Sequence, residues 1–432
     1  MKGLPIAIVG AGTAGLASAI LLARQGFRVC VLERVANLQP VGAGVLLQPS
    51  GLAVLRELGL LAECTGLGAP VSRLYGTTAG AGRVILDTRY DDWRPGSFGL
   101  GIHRAVLLTA LLNAARQAGV QIETGVTISR FSQAADRVLL FRRDRESEEQ
   151  VHGEYAALVL ADGVRSTLRE QMQVRQWSRP YPWGALWNIQ PTPAGLQSTD
   201  LRQWYRGCRE MFGIMPTGST HEQRDQPLSS LFWSLPTAQF AAWREAGLEA
   251  WKARVMQLSG GAAEPFLQTI ESPVQLSFAA YADVRMQRWH DGRVLAIGDC
   301  AHAMSPQLGQ GANMALIDAA ALATQLRDHA APEAVAVDWA RVFDGYAAAR
   351  REHLRYYRQA SRLLTPLFQS DSRVLAVLRD SALYLARHNR FGRYHAATTL
   401  VGARTGWLFG AYEETALCAW YGTREVREAL PE

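Results

Sequence analysis

The sequence has almost no lysine. Lys2 and Lys252 are the only two, so nearly all of its 45 basic residues are arginine. The arginines are interspersed with acids, and no zinc-finger, RNA-recognition or helix-turn-helix signature accompanies them. A nucleic-acid-binding role is therefore set aside despite a net charge of +6. Cysteine is scarce and odd in number: Cys30, Cys64, Cys208, Cys300 and Cys418 lie far apart, with no CxxC pair and no Cys/His cluster at metal-ligand spacing. That argues against a disulfide framework and a metal site, and fits free thiols in a reducing compartment. No uninterrupted apolar run reaches the roughly eighteen residues of a membrane-spanning helix. The apolar run after Lys2 meets Gly10 too soon for a secretory signal, so a cytoplasmic protein is expected. Internal repeats and low-complexity tracts are also missing.

What is present is ordinary for a globular enzyme: 48% hydrophobic and 19% charged residues. A chain of 432 residues implies two interlocked domains. It opens with an apolar strand, Pro5 to Val9, a glycine turn, a helical stretch from Thr13 to Gln25, and a second apolar strand from Phe27 to Leu32. This is a βαβ unit, the start of a parallel sheet. Further helices are expected over about Ser50–Leu58, Ala105–Gln117 and Gly311–Ala330, and buried strands over Ala156–Ala161 and Arg293–Ile297. From about Pro180 to Pro273 Trp, Tyr and Phe become dense. Alternating segments there (Ala185–Ile189, Glu210–Met215, Ser229–Leu235) predict an antiparallel sheet, flanked by helices over Ala238–Glu245 and Glu249–Leu258. Arg142 to Ser147 reads as the solvated turn of a hairpin.

Three motifs carry the chemistry. Gly10-Ala11-Gly12-Thr13-Ala14-Gly15 joins the first strand to the first helix. Gly10 allows the tight turn, Gly12 a close approach of a pyrophosphate, and Gly15 the packing of helix on sheet. The free N–H groups of the helix start then face the phosphates. Glu33 closes the second strand, where a carboxylate can accept ribose hydroxyls, with Arg34 beside it. Second, Asp162-Gly163 ends the apolar strand over 156–161, with Ser166 as a helix-cap candidate. Third, Gly298-Asp299-Cys300-Ala301-His302 follows the strand over 293–297. Pro306 and then Gly309-Gln310-Gly311-Ala312-Asn313 come next, at the start of a long helix. Backbone N–H groups at that helix start can stabilise an electron-rich ring edge.

In this order and spacing the motifs resemble the class A flavoprotein monooxygenases, the family of p-hydroxybenzoate hydroxylase, over roughly residues 3–330. Cys300 stands where the family usually has alanine. The resemblance implies an α/β (mixed α+β) fold. A Rossmann-like FAD-binding domain is built from 1–75, 101–180 and 275–340. An inserted antiparallel-sheet substrate domain comprises 76–100 and 181–274, and C-terminal helices occupy 341–432. It further implies that Gly10, Gly12, Ala14, Gly15, Glu33 and Arg34 bind FAD. Asp162 would lie where FAD and nicotinamide meet, Asp299 on the ribityl chain and Arg104 near the pyrophosphate. Val126, on a short strand, would lie by the adenine. Gly44 and Val45, in the loop Gly42–Gln48, and Gly309, Gly311, Ala312 and Asn313 would line the isoalloxazine.

The activity implied is hydroxylation of a small aromatic or heteroaromatic substrate with O₂, through a C4a-hydroperoxyflavin, with NADH or NADPH docking transiently because only one dinucleotide fingerprint is present. Substrate contacts are expected from Trp187, Tyr205, Phe212, Met215, Trp233 and Pro306, with about half of the strand residues facing away from the pocket. No catalytic base stands out, and His302 and Cys300 read as packed residues. Alternatives stay open: an FAD oxidoreductase that does not insert oxygen, a hydroxylase of a carrier- or peptide-bound substrate, or a flavin-binding partner protein. A flavin-dependent halogenase fits poorly, since Phe232 to Pro236 only partly echoes its WxWxIP segment and Lys252 lies in an amphipathic stretch. The C-terminal helices are expected to cap the flavin domain or to form a homodimer contact.

Overall fold

The computed structural model describes residues 3–38, 43–80, 82–143, 149–329, 337–410 and 414. The expected hairpin turn near Arg142 and much of the expected loop around Gly42, with Cys418, lie largely outside them. The apolar runs form the centre of a six-stranded sheet, in the order His290–Asp291, Val294–Ala296, Ala157–Leu160, Ile6–Val9, Val29–Glu33, Gln121–Thr124. The inner strands are parallel, with Ile6 opposite Ala157 and Val29, and Leu160 opposite Ala296. Ile6–Val9 and Ala157–Leu160 are buried at every residue. Strands covered on both faces can only be apolar throughout. Helix Thr13–Arg24 and helix Gly311–His329 pack together on this sheet.

A seven-stranded sheet forms the second layer: Ser277–Met286, Gln176–Pro191, Leu228–Pro236, Glu210–Gly218, Asp200–Arg206, Arg73–Thr78, Val84–Arg89. It takes in residues on both sides of the segments 76–100 and 181–274. Strand Gln176–Pro191 is much longer than its alternation shows, because its first half pairs with Ser277–Met286 outside the aromatic-rich region. The two helices expected over 238–258 meet end to end as Phe240–Ser259, broken at Gly247, whose φ of 83° and ψ of 171° are open to glycine.

Period-two alternation divides the sheet's side chains between two cores. Leu186, Trp204, Phe212, Ile214 and Leu231 pack beneath helix Phe240–Ser259, against Trp243, Trp251 and Val255. Leu201, Tyr205, Met211, Met215 and Phe232 belong to the main core, shared with the nucleotide-binding layer.

Of the C-terminal helices, Trp339–Phe368 packs on helix Gly311–His329 of the first layer, whereas Arg373–Arg387 and Arg390–Leu400 pack against strand Val84–Arg89 at the edge of the seven-stranded sheet. The lock is Asp318, fully buried on helix Gly311–His329. One carboxylate oxygen accepts from the Gly298 N–H at 2.7 Å and lies 2.6 Å from His302 Nε2. The other accepts from Arg350 Nε at 2.7 Å. Burial alone would raise the Asp318 pKa; the charges of His302 and Arg350 and their hydrogen bonds outweigh it and hold the carboxyl well below its ordinary range. Arg350 also bonds His353 Nδ1 at 2.7 Å, and His353 Nε2 reaches the Gly402 carbonyl at 2.9 Å. His353 therefore sits as a neutral ring; burial first, then Arg350, push its pKa down to about 3.

Two outcomes follow. Asp318→Ala strands buried Arg350 without its partner and is expected to lower stability by about 3–5 kcal/mol, read as a shift of the urea midpoint. His353 is depressed in the folded state. Its contribution is thus complete above pH 6.5 and lost as pH falls toward about 3. His353→Gln is expected to flatten the pH dependence of the thermal midpoint across that window; an unchanged slope would count against a buried neutral imidazole.

Candidate active site

Three loops separated by long stretches of chain meet at the carboxyl ends of three neighbouring parallel strands. The Gly10 N–H bonds the Leu32 carbonyl, the Ala161 N–H bonds the Val9 carbonyl, and the Ile297 N–H bonds the Leu160 carbonyl. Residues 10–15, Asp162-Gly163 and Gly298-Asp299 thereby form one rim, the position where open α/β sheets bind ligands. The three glycines divide their work as the spacing predicts. Gly10 has φ of 107°, and a Cβ there would lie 2.5 Å from the Ala161 carbonyl oxygen. A Cβ on Gly15 would lie 2.0 Å from the Gly10 carbonyl oxygen, so the helix packs on the turn only because Gly15 has none. A Cβ on Gly12 would meet nothing within 4 Å. Gly12 faces open space at the start of helix Thr13–Arg24, which has no side-chain cap and no acid in its first turn. Free N–H groups, a positive dipole end and an open approach suit a diphosphate.

Glu33 spans the turn. Its two carboxylate oxygens accept from the Ala11 N–H at 2.8 Å and the Val35 N–H at 2.9 Å. Each retains a lone pair for a ribose hydroxyl. Arg34 is exposed beside it. Val126 is not on a strand: it lies between Gln121–Thr124 and Ile128–Gln133, where its N–H bonds the Glu33 carbonyl at 2.9 Å. It reaches this end of the groove because that bond pins the turn to the second strand.

Asp299 is exposed to solvent, yet the surrounding protein is dense enough that desolvation raises its carboxyl pKa against the opposing pull of His302 and Arg104. A group accessible and enclosed at once lies in a recess of the rim. Arg104 is exposed at the start of helix Arg104–Gln117. Gly309 and Gly311 are exposed, and Ala312 half-buried, at the start of helix Gly311–His329. The groove thus runs from Glu33 past residues 10–15, Arg104 and Asp299 to Gly309–Ala312. Such a string of small residues, helix starts and one carboxylate fits an extended dinucleotide with a ribityl chain.

The Asn313 side chain has a structural task of its own. It is fully buried, and its amide accepts from the Gln48 N–H at 2.8 Å and donates to the carbonyls of Leu46 and Gly309. The side chain is spent on clamping strand Gly44–Leu47, with Gly44 and Val45, against the Gly309 turn. A Cβ on Gly44 would lie 2.1 Å from Ser230 Oγ, so this strand also presses on the large sheet.

Of the expected substrate residues, Trp187, Tyr205 and Met215 face the nucleotide-binding layer. Phe212 and Trp233 do not: alternation turns them to the opposite face, where Phe212 stacks on Trp204 and Trp233 meets Trp251. They are core. Tyr205 is sealed under Phe368 and Arg379, which removes it from any pocket. Pro306 opens a turn, Pro306–Leu308, between Asp299 and Gly309.

The structure adds two residues that spacing did not single out. Arg169 is buried and joins the second and third loops by donating to the carbonyls of Val164 and Cys300. Tyr281 lies on the same face as Trp187, and its hydroxyl accepts from the Trp187 indole N–H at 3.2 Å. Burial raises the Tyr281 pKa, which keeps it a phenol at neutral pH with its own proton free to donate. His302 is held by Asp318, and burial drives the Cys300 thiol pKa well up, so both are packed groups as expected.

Comparison with known proteins gives the family. The model of the FAD binding domain family matches residues 4–357. The chain is 30% identical over 358 residues to 6-hydroxynicotinate 3-monooxygenase of Bordetella bronchiseptica, covering 77% of this chain and 86% of that one. It is 30% identical over 380 residues to kynurenine 3-monooxygenase of Xanthomonas oryzae pv. oryzae, covering 80% and 75%. Among solved structures, a variant of Klebsiella pneumoniae HpxO complexed with FAD superposes with a TM-score of 0.74 at 20% identity, over 92% of this chain and 99% of that one.

The glycines separate fold from ligand. Gly12→Ala, entering open space, is expected to leave the apoprotein's thermal midpoint unchanged while lowering flavin retention at least tenfold. Gly10→Ala, strained at φ of 107° and pressed on Ala161, is expected to unfold the protein more readily by about 1–3 kcal/mol. Flavin absorbance after gel filtration and calorimetry read the two effects.

Proposed function

The chain belongs to the FAD binding domain family and is a flavin-dependent monooxygenase, and on that premise we propose that it hydroxylates a small aromatic or heteroaromatic ring, using O₂ and NADH or NADPH. The observation that carries the reading is the convergence of residues 10–15, Asp162-Gly163 and Gly298-Asp299 on one sheet rim, facing an open groove. FAD, when bound, supplies the redox chemistry and the activation of oxygen.

The protein's share is binding, orientation and exclusion of water. Gly10, Gly12, Ala14 and Gly15 hold the diphosphate at the helix start, with Arg104 adding positive charge. Glu33, Arg34 and Val126 receive the adenosine end. Asp299 accepts from ribityl hydroxyls. The N–H groups of Gly311 and Ala312, beside Gly44 and Val45, meet the ring edge, and Asp162 closes the rim. Substrate sits on the face of the large sheet that carries Trp187, Met215 and Tyr281, near Pro306. There the Tyr281 hydroxyl donates to a substrate oxygen and orients the ring. The relatives named for 6-hydroxynicotinate and kynurenine support a substrate of this size and kind. Four free buried cysteines support the cytoplasm as the working compartment. Among the described residues no helix is long and apolar enough to cross a membrane. Exposed Val374, Val377, Leu378 and Leu385 on helix Arg373–Arg387 support a homodimer through this end.

A product one oxygen atom heavier, formed in step with NAD(P)H oxidation across a panel of hydroxylated pyridines, anilines and benzoates, is the expected result. Flavin reduction without oxygenated product from any of them would favour an oxidoreductase that does not insert oxygen. Tyr281→Phe removes one hydrogen bond. It is expected to raise KM for the aromatic substrate up to about tenfold, from a loss of about 0.5–1.5 kcal/mol, and to increase hydrogen peroxide release while flavin affinity holds.

A further inference from the structure

Beyond the cofactor groove, the face of the large sheet that carries Tyr281 continues into a cleft of about 390 Å³. Strand Gln176–Pro191 contributes Arg179, strand Ser277–Met286 contributes Asp283 and Arg285, and helix Trp339–Phe368 contributes Arg358 and Arg362. The loop Ala303–Ser305 closes it. Four guanidinium groups thus share one cleft with a single carboxylate, an excess of three positive charges.

These arginines are not structural ion pairs. Asp283 is the only carboxylate among the cleft's lining residues, and among the described residues none of the four has an acid within salt-bridge distance. Arg285 lies over the Trp177 ring at 5.0 Å. A terminal nitrogen of Arg358 is buried with no hydrogen-bond partner. Burial and the neighbouring arginines lower the pKa of both Arg285 and Arg358. Arg285 and Arg358 are half-buried and Arg179 and Arg362 exposed, so the cost of the cluster is like-charge repulsion across one cleft, which an arriving anion relieves. A monocarboxylate would leave two charges uncompensated. A diphosphate offers at least two negative charges and oxygens spaced for guanidinium forks.

The position narrows the source. The Val284 N–H bonds the Ala303 carbonyl at 2.9 Å, so the cleft wall is tied to the segment that links Asp299 to the Gly309 turn. An anion held here lies one loop away from the ring end of the cofactor groove. The residues of the cofactor groove are distinct from those of the cleft, and the chain has a single GxGxxG fingerprint. The molecule that must approach the flavin from outside and carries a diphosphate is the reductant. We propose that the Arg179–Arg285–Arg358–Arg362 cleft docks the diphosphate of the reduced pyridine nucleotide, an inference that rests on the monooxygenase reading above.

The test uses the FAD-loaded enzyme. Anaerobic flavin reduction is followed against NADH and NADPH concentration, and inorganic pyrophosphate is titrated by calorimetry. Pyrophosphate is expected to bind and to compete with the nucleotide. Arg358→Gln, and Arg362→Glu at the exposed rim, are each expected to raise the half-saturating nucleotide concentration and weaken pyrophosphate at least tenfold. Arg116→Gln, on the exposed face of helix Arg104–Gln117, is the charge control and should change neither. Visible flavin spectra and thermal midpoints matching wild type exclude misfolding, and the rim variant keeps the test valid if Arg358→Gln is unstable. Unchanged nucleotide dependence in Arg362→Glu, or pyrophosphate competing with the aromatic substrate instead of the nucleotide, overturns the inference alone. A wild-type flavin that neither nucleotide reduces overturns the proposed function, and this inference with it.

Discussion

Asp318 is a buried carboxylate that ties its own helix, Gly311–His329, to two other pieces of the protein, the third loop and the C-terminal helix Trp339–Phe368. It receives the Gly298 N–H from the third loop, His302 from the short turn beyond it, and Arg350 from the C-terminal helix. Each donor alone would leave a charge stranded in the core; together they satisfy it. The geometry of Gly298, whose φ is 58°, is thereby set by a residue twenty positions downstream. The same contact fixes the backbone that carries Asp299. The C-terminal helix Trp339–Phe368 thus supports the third loop from behind, through Arg350 and Asp318. Gln310 repeats the arrangement by donating to the Leu400 carbonyl at 2.8 Å.

The two faces of the large sheet do different work because their neighbours differ. One face is dry and aromatic beneath helix Phe240–Ser259, a core that gives the sheet its stiffness. The other carries Trp187, Met215 and Tyr281 toward the nucleotide-binding layer and grades into the arginine cleft. The proposed ring site and the proposed anion cleft therefore share one face of one sheet.

Much of this was legible in the residues. The glycine spacing at 10–15, the carboxylate at Glu33 and the two apolar strands ending at Asp162 and Gly298 are local patterns, and they placed the βαβ unit and the rim. Strand faces were legible as alternation but not as direction. Period two says that Phe212 and Met215 point opposite ways; only the position of helix Phe240–Ser259 says which of them is core. Tyr281 and the four cleft arginines escaped because their partners lie across strand pairings or on another helix, and such contacts leave no spacing to read. Asn313 shows a subtler gap. Its place in the motif was visible, but its amide is engaged by Gln48, Leu46 and Gly309, two of them more than 260 positions away.

The order of strands in the six-stranded sheet has a consequence for synthesis. The neighbour of Ile6–Val9 on one side is Ala157–Leu160, and beyond it comes Val294–Ala296. At the usual pace of a ribosome, roughly 5–20 residues per second, the first glycine turn waits roughly 15–70 s before Arg350 is made and Asp318 gains its last partner. During that interval the nascent chain exposes strand edges that have no mate yet. The cell must shield an incomplete sheet throughout that interval, and flavin can be locked in only after Arg350 has been made.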